Sequence, residues 1–103
     1  MQQIQYDVVK KPTSVSAHSV RNTNNNLSAV IPAYNEALSI GSLVLQTKKY
    51  VDQVIVIDDG SKDKTADIAR LAGATVIQLE KNQGKAQAMM YGFELLKQEG
   101  YTA

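Results

Sequence analysis

From Leu27 onward, apolar positions fall into short continuous runs that alternate with stretches of helical spacing. Leu27 to Pro32 is an apolar run closed by proline, which predicts a strand ending at its carboxyl edge. Glu36 to about Tyr50 predicts a helix, because Ile40, Leu43, Val44, Thr47 and Val51 share one face. Gly41 weakens that helix by roughly 1 kcal/mol relative to Ala. Gln53 to Asp58 is a continuous β-branched run, the pattern of a parallel strand buried on both faces. Ser61 and Asp63 are N-cap candidates for a helix from about Lys64 to Ala72, with Gly73 at the C-cap. Ala74 to Leu79 predicts a third strand. Asn82 and Gly84 precede a third helix that runs to about Glu99, with Met89, Gly92, Phe93 and Leu96 inward and Gly100 at its end. Tyr101 to Ala103 reads as the start of a fourth strand.

Strand and helix alternate three times, so the expected class is α/β with a parallel sheet of three to four strands flanked by helices. Ligands of such sheets bind outside the carboxyl ends of the strands. Pro32 to Glu36, Asp58 to Ser61 and Glu80 to Lys85 all follow strand ends, and are expected to share one rim. Residues 1–26 differ: they hold Asn22, Asn24, Asn25 and Asn26, with scattered apolar residues and no sustained period. They read as a flexible polar extension, mobile or weakly docked, ahead of a patterned region spanning 27–103.

The chain has 103 residues, enough for one small domain. A net charge of +1 argues against a dedicated nucleic-acid binder. There is no cysteine, and the one histidine, His18, lies in a polar stretch, so thiol chemistry and a zinc site are not expected. No apolar run approaches the roughly 20 residues that span a bilayer. The N-terminus lacks the charged and apolar regions of a signal peptide, which makes the cytoplasm the expected compartment.

Three loops carry the candidate chemistry. In the first, Pro32 stops the strand, Tyr34 offers a flat face and a hydroxyl, and Glu36 is an acceptor for a ribose hydroxyl or a base N–H. The simpler alternative is that Asn35 caps the helix and Glu36 complements its dipole. In the second, Asp58 and Asp59 are adjacent carboxylates that need a partner, and Gly60 permits a left-handed turn. A solvated turn before a capped helix explains that loop equally well. In the third, Asn82 to Lys85 places a glycine and a cation at a helix start, where an anion is favoured, although taken alone an ordinary helix cap explains it better. Together the loops suit a nucleoside diphosphate, with base and ribose near the carboxylates and phosphates near the lysine.

Ala29 to Glu36, Val56-Ile-Asp-Asp-Gly-Ser-Lys-Asp-Lys-Thr65 and Asn82 to Ala88 resemble, in order and spacing, the motifs of family-two glycosyltransferases. The likeness is to the polyprenyl-phosphate sugar synthases, such as dolichyl-phosphate mannose or glucose synthase, and covers residues 27–103. It implies the nucleotide-binding half of a Rossmann-like GT-A fold, a UDP- or GDP-sugar donor, and hexose transfer with inversion to a lipid phosphate or glycan. By the same resemblance Pro32, Tyr34 and Glu36 line the nucleoside pocket, and Ile57 and Asp59 contact base and ribose. Asp58 supports the loop and Lys85 lies near the donor. The family's Asp-x-Asp motif for Mg²⁺ or Mn²⁺ and its later general base fall after the matched motifs. The expectation is therefore that these 103 residues hold no metal ligands or catalytic residue and transfer no sugar alone. They would be a truncated product, a cut piece or a remnant. The resemblance also implies work at the cytoplasmic face of a membrane, and truncation of the domain would leave the first strand without a neighbour on one side, with an exposed apolar edge prone to self-association.

Two other classes compete for these residues. Val56 to Asp59 resembles the acidic pair of a phosphorelay receiver, but Leu79-Glu80 offers no phospho-acceptor aspartate. A dinucleotide fold needs a Gly-x-Gly-x-x-Gly turn where Pro32 to Glu36 stands, and is rejected. A non-enzymatic α/β remnant remains an alternative, distinguished by its failure to bind nucleotide.

Overall fold

A computed structural model describes residues 18–21 and 27–100. The elements run β1 (His18–Arg21), β2 (Leu27–Ala33), α1 (Ile40–Thr47), β3 (Gln53–Asp58), α2 (Thr65–Leu71), β4 (Thr75–Gln78) and α3 (Lys85–Gln98). They form a four-stranded sheet in the order β1-β2-β3-β4. β2, β3 and β4 are parallel, and β1 is antiparallel to β2. The expected α/β architecture, a parallel three-stranded sheet flanked by helices, is present.

The β-branched run of β3 explains its central place. Val54, Val56, Ile31 and Ala33 pack on one face with Ile40, Val44 and Ala69, beneath α1 and α2. Val30, Ile55 and Ile57 pack on the other with Ala88, Met89 and Leu96 of α3. Alternate residues of one strand thus feed two cores. Each fully buried Val or Ile side chain contributes about 1.5–3 kcal/mol. α3 lies close to the sheet at Gly92, where an added Cβ would stand 2.0 Å from Ile57 Cδ1.

Two expectations are corrected. The first helix begins at Ile40 rather than Glu36. Asn35 is left-handed at φ 50, and the Ser39 amide donates back only three residues to the Glu36 carbonyl, so residues 37–39 form a turn before the regular helix begins. At its other end Lys49 and Tyr50 donate to Gln46 and Thr47, and the tighter i−3 bonds stop the helix. The second correction concerns the edge of β2. It is not left open along Leu27–Val30, because β1 pairs with that stretch. Its unpaired backbone groups are satisfied by the nearest upstream segment, one the sequence pattern did not mark as a strand. Pro32 lies beyond the β1 register, so its missing N–H removes no bond to β1. The remainder of 1–26, and the strand start read at Tyr101 to Ala103, lie outside the described residues.

Candidate functional site

The carboxyl ends of the three parallel strands are level. The Asp59 amide donates to the Ala33 carbonyl at 2.8 Å, and the Leu79 amide to the Asp58 carbonyl at 2.9 Å. The loops that follow therefore meet on one rim, as the strand-end rule requires.

The first two loops are stitched by side chains. The Asn35 amide donates to Ser61 Oγ at 2.8 Å, and the Lys62 amide returns a bond to Asn35 Oδ1 at 2.8 Å. Asn35 is left-handed at φ 50, a conformation that asparagine tolerates better than most residues. The Glu36 amide donates to Thr65 Oγ1 at 2.8 Å, and the Ala37 amide to Asp63 Oδ2 at 3.2 Å. Asp63 Oδ1 accepts the Thr65 amide at 3.0 Å and the Thr65 hydroxyl. That hydroxyl is the main cause holding the Asp63 carboxyl below the ordinary Asp value; desolvation opposes it, and the Thr65 and Ala37 amides reinforce it.

The adjacent aspartates have separate roles. Asp58 and Asp59 are each only 1% exposed, so neither is part of a solvated turn. Asp58 Oδ1 accepts the Ser61 amide at 3.2 Å, while its Oδ2 is buried with no hydrogen-bond partner among the described residues. Asp59 is saturated by the third loop: Oδ1 accepts the Gln83 amide at 2.8 Å, and Oδ2 accepts the Gly84 amide at 2.9 Å and Asn82 Nδ2 at 3.0 Å. Gly60, at φ +73, allows that approach. A Cβ there would sit 2.5 Å from the Lys81 carbonyl carbon and 2.6 Å from the Asn82 nitrogen.

Lys85, the first residue of α3, brings its Nζ to 3.5 Å from Glu36 Oε2. The Glu36 side chain is 18% exposed and that of Lys85 44%, so the pair spans from the interior of the rim to solvent. Tyr34 is half-buried at the start of the first loop. Pro32 is buried opposite Ile57 in the β2–β3 register, and Ile57 is fully buried in the core under α3. Of the seven residues singled out in the sequence, Glu36 and Lys85 meet directly. Asp58, Asp59 and Tyr34 occupy the joined loops, and Pro32 and Ile57 lie in the sheet beneath them. Beyond the Asn82–Gly84 segment, a groove of about 300 Å³ is lined by Gln78, Leu79, Glu80, Lys81, Gln83 and Tyr91.

On this rim the partly exposed Glu36 can accept an N–H or O–H group and Lys85 can face an anion, while the buried Asp58 and Asp59 hold the loops that carry them. Among the described residues no group of three His, Cys, Asp or Glu is placed to hold a metal ion. No helix among them is long and apolar enough to cross a membrane. Sequence reasoning assigned Ser61 and Asp63 to capping their own helix and gave Thr65 no role. Ser61 instead serves the first loop, while Asp63 serves both that loop and the start of α2. The available signal was the density of short oxygen-bearing side chains after Gly60, whose partners lie more than 25 residues upstream.

The family model described as Glycosyl transferase family 2 matches residues 28–102. An undecaprenyl-phosphate 4-deoxy-4-formamido-L-arabinose transferase of Edwardsiella ictaluri is 36% identical over 83 residues, covering 69% of this chain and 26% of that protein. A 4,4'-diaponeurosporenoate glycosyltransferase of Staphylococcus aureus is 38% identical over 86 residues, covering 76% of this chain and 23% of its own. An uncharacterized protein of Methanocaldococcus jannaschii is 41% identical over 70 residues, 62% of this chain and 31% of that one. The chain thus spans about a quarter of the length of the first curated relatives it matches. No solved structure matches it.

Proposed function

This chain belongs to glycosyl transferase family 2, and we propose that its rim is the donor side of the transferase, taking the nucleoside diphosphate of a UDP- or GDP-linked sugar. The observation that carries this reading is the meeting of Lys85 with Glu36 at 3.5 Å, beside the buried pair Asp58 and Asp59. A nucleotide sugar needs acceptors for base and ribose within reach of a cation for its phosphates, and these residues supply both. Tyr34 stacks on the base and Glu36 accepts a ribose hydroxyl. Asp58, buried beneath them, supports the loop through its bond to the Ser61 amide. Asp59 contacts base or ribose by exchanging one of its bonds to the Asn82–Gly84 segment. Pro32 and Ile57 form the floor, and Lys85 faces the diphosphate.

The whole enzyme passes a sugar, a hexose by the sequence reading although one relative is named for a modified arabinose, to an acceptor such as a polyprenyl phosphate or a polysaccharide; the relative named for undecaprenyl phosphate supports the lipid phosphate. A lipid acceptor would put the reaction at the cytoplasmic face of a membrane. Among the described residues no group of carboxylates is placed to hold the Mg²⁺ or Mn²⁺ that the family resemblance implies.

The test is an amide NMR titration of the chain with UDP and GDP, with and without Mn²⁺. Shifts confined to Tyr34, Glu36, Ile57, Asp59 and Gly60, nearly independent of Mn²⁺, are expected. A folded spectrum unmoved by millimolar nucleotide would sink the proposal.

A further inference from the structure

The loop that carries Tyr34 and Glu36 has no regular structure of its own. Its three amides, from Asn35 to Ala37, donate to three side chains of one other segment: Ser61, Thr65 and Asp63. Two of those side chains are themselves joined, because Asp63 Oδ1 accepts both the amide and the hydroxyl of Thr65. The Thr65 hydroxyl therefore donates to Asp63 while it accepts from Glu36, and is held in that orientation by both. Thr65 is fully buried, so the Glu36 amide it receives has no ready exchange for water. Asp63 differs in kind from the neighbouring Asp58 and Asp59, which are buried at the end of β3: it is exposed, at the outer end of this chain of bonds.

We propose that Asp63 is a positioning residue for the nucleotide site: acting through Thr65 and the Ala37 amide, it fixes the backbone that aims Tyr34 and Glu36 at the nucleoside, without touching the ligand itself. This rests on the donor-site reading above. Asp63→Asn offers one oxygen where two are used, and turns an N–H donor toward either the Ala37 or the Thr65 amide. The network cannot re-form in either flip. Thr65→Ser keeps a hydroxyl that both accepts from Glu36 and donates to Asp63, whereas Thr65→Val has the same shape and does neither.

The test combines nucleotide titration with amide hydrogen exchange on the full 103-residue chain, using UDP and GDP as probes. Asp63→Asn and Thr65→Val are expected to weaken binding about tenfold, the size of one well-formed hydrogen bond lost. In both, the Glu36 and Ala37 amides would exchange faster while Ile55 and Val56 in the central strand keep their protection. Thr65→Ser would bind as the parent does. In a chain already carrying Glu36→Ala, the added Asp63→Asn would change affinity less than about twofold, since residues acting as a unit are not additive. A merely structural role would cost the same in both backgrounds, and that result would overturn the proposal. So would unchanged affinity in Asp63→Asn with the Glu36 and Ala37 amides freely exchanging. If the parent chain binds neither nucleotide, the donor-site reading fails and takes the positioning role with it. The exchange data would then still report separately whether Asp63 holds the loop.

Discussion

Asp59 Oδ2 accepts the Gly84 amide at 2.9 Å, so the turn that ends β3 holds down the turn that begins α3. Gln83 and Asn82 add two more donors to the same buried carboxylate. Asparagine in place of Asp59 would present one oxygen to three donors. Asp59→Asn should therefore lower stability by about 3 kcal/mol in denaturant unfolding, the penalty for stranding buried donors. The Gln83 and Gly84 amides should exchange first. A midpoint unchanged by the substitution would mean that the third loop is held by something other than Asp59.

Gly92 makes a second close approach, this time helix to strand. In a free helix Ala would be favoured over Gly by up to about 1 kcal/mol. Here the new Cβ would lie 2.0 Å from Ile57 Cδ1 in a side chain with no exposed surface. Overpacking of this kind costs about 1–3 kcal/mol, so the clash outweighs the propensity gain. Gly92→Ala is expected to lower the unfolding midpoint. Ile57→Val, which deletes the clashing Cδ1, should recover part of the loss in the double variant although it destabilises the chain by itself.

The ion pair of Lys85 with Glu36 predicts a separation of stability from binding. With Lys85 nearly half exposed, such a pair contributes only about 0–1 kcal/mol to folding. Lys85→Met should leave the unfolding midpoint nearly unchanged. If Lys85 faces a diphosphate, the same change should weaken UDP or GDP binding about tenfold at low salt, and make the remaining affinity less sensitive to added salt. Equal affinity in parent and variant across that salt range would remove Lys85 from the site.

Much of this was legible in the chain because the relevant signals are local. Gln53 to Asp58 reads as a buried parallel strand, and β3 has those bounds. The rule that ligands sit beyond strand ends put three loops on one rim, and the Asp59–Ala33 and Leu79–Asp58 bonds join them there. What escaped was settled across distance. The start of α1 moved because the left-handed Asn35 and the i−3 bond from Ser39 to Glu36 make a turn, while the loop's amides are held by Ser61, Thr65 and Asp63 from a distant segment. β1 escaped because its four residues, His18 to Arg21, hold a single apolar position and so carry no run or alternation to read. Asp59 was legible as a carboxylate in need of a partner, but not that its partners are the residues from Asn82 to Gly84.

The last prediction concerns pH. Asp63 has its folded value lowered, first by the Thr65 hydroxyl and then, against some desolvation, by the Thr65 and Ala37 amides. A carboxyl whose folded value lies below its unfolded one favours the folded loop at pH above the unfolded value, where it is ionised in both states. That contribution is lost as pH falls through the folded value, because the protonated oxygen can no longer accept every bond it holds. The window therefore lies below the ordinary range for Asp, and nothing attributable to Asp63 should change near neutrality. Following the Asp63 carboxyl carbon by NMR as the chain is acidified should give a midpoint below that of an unstructured peptide. The Glu36 and Ala37 amide signals should move with the same midpoint, since their acceptors are Thr65 and Asp63. In Asp63→Asn that shared inflection should vanish, while those of other carboxylates persist. An Asp63 that titrates at the ordinary value, or amides that ignore its titration, would show that its bonds to the loop are too weak to hold it.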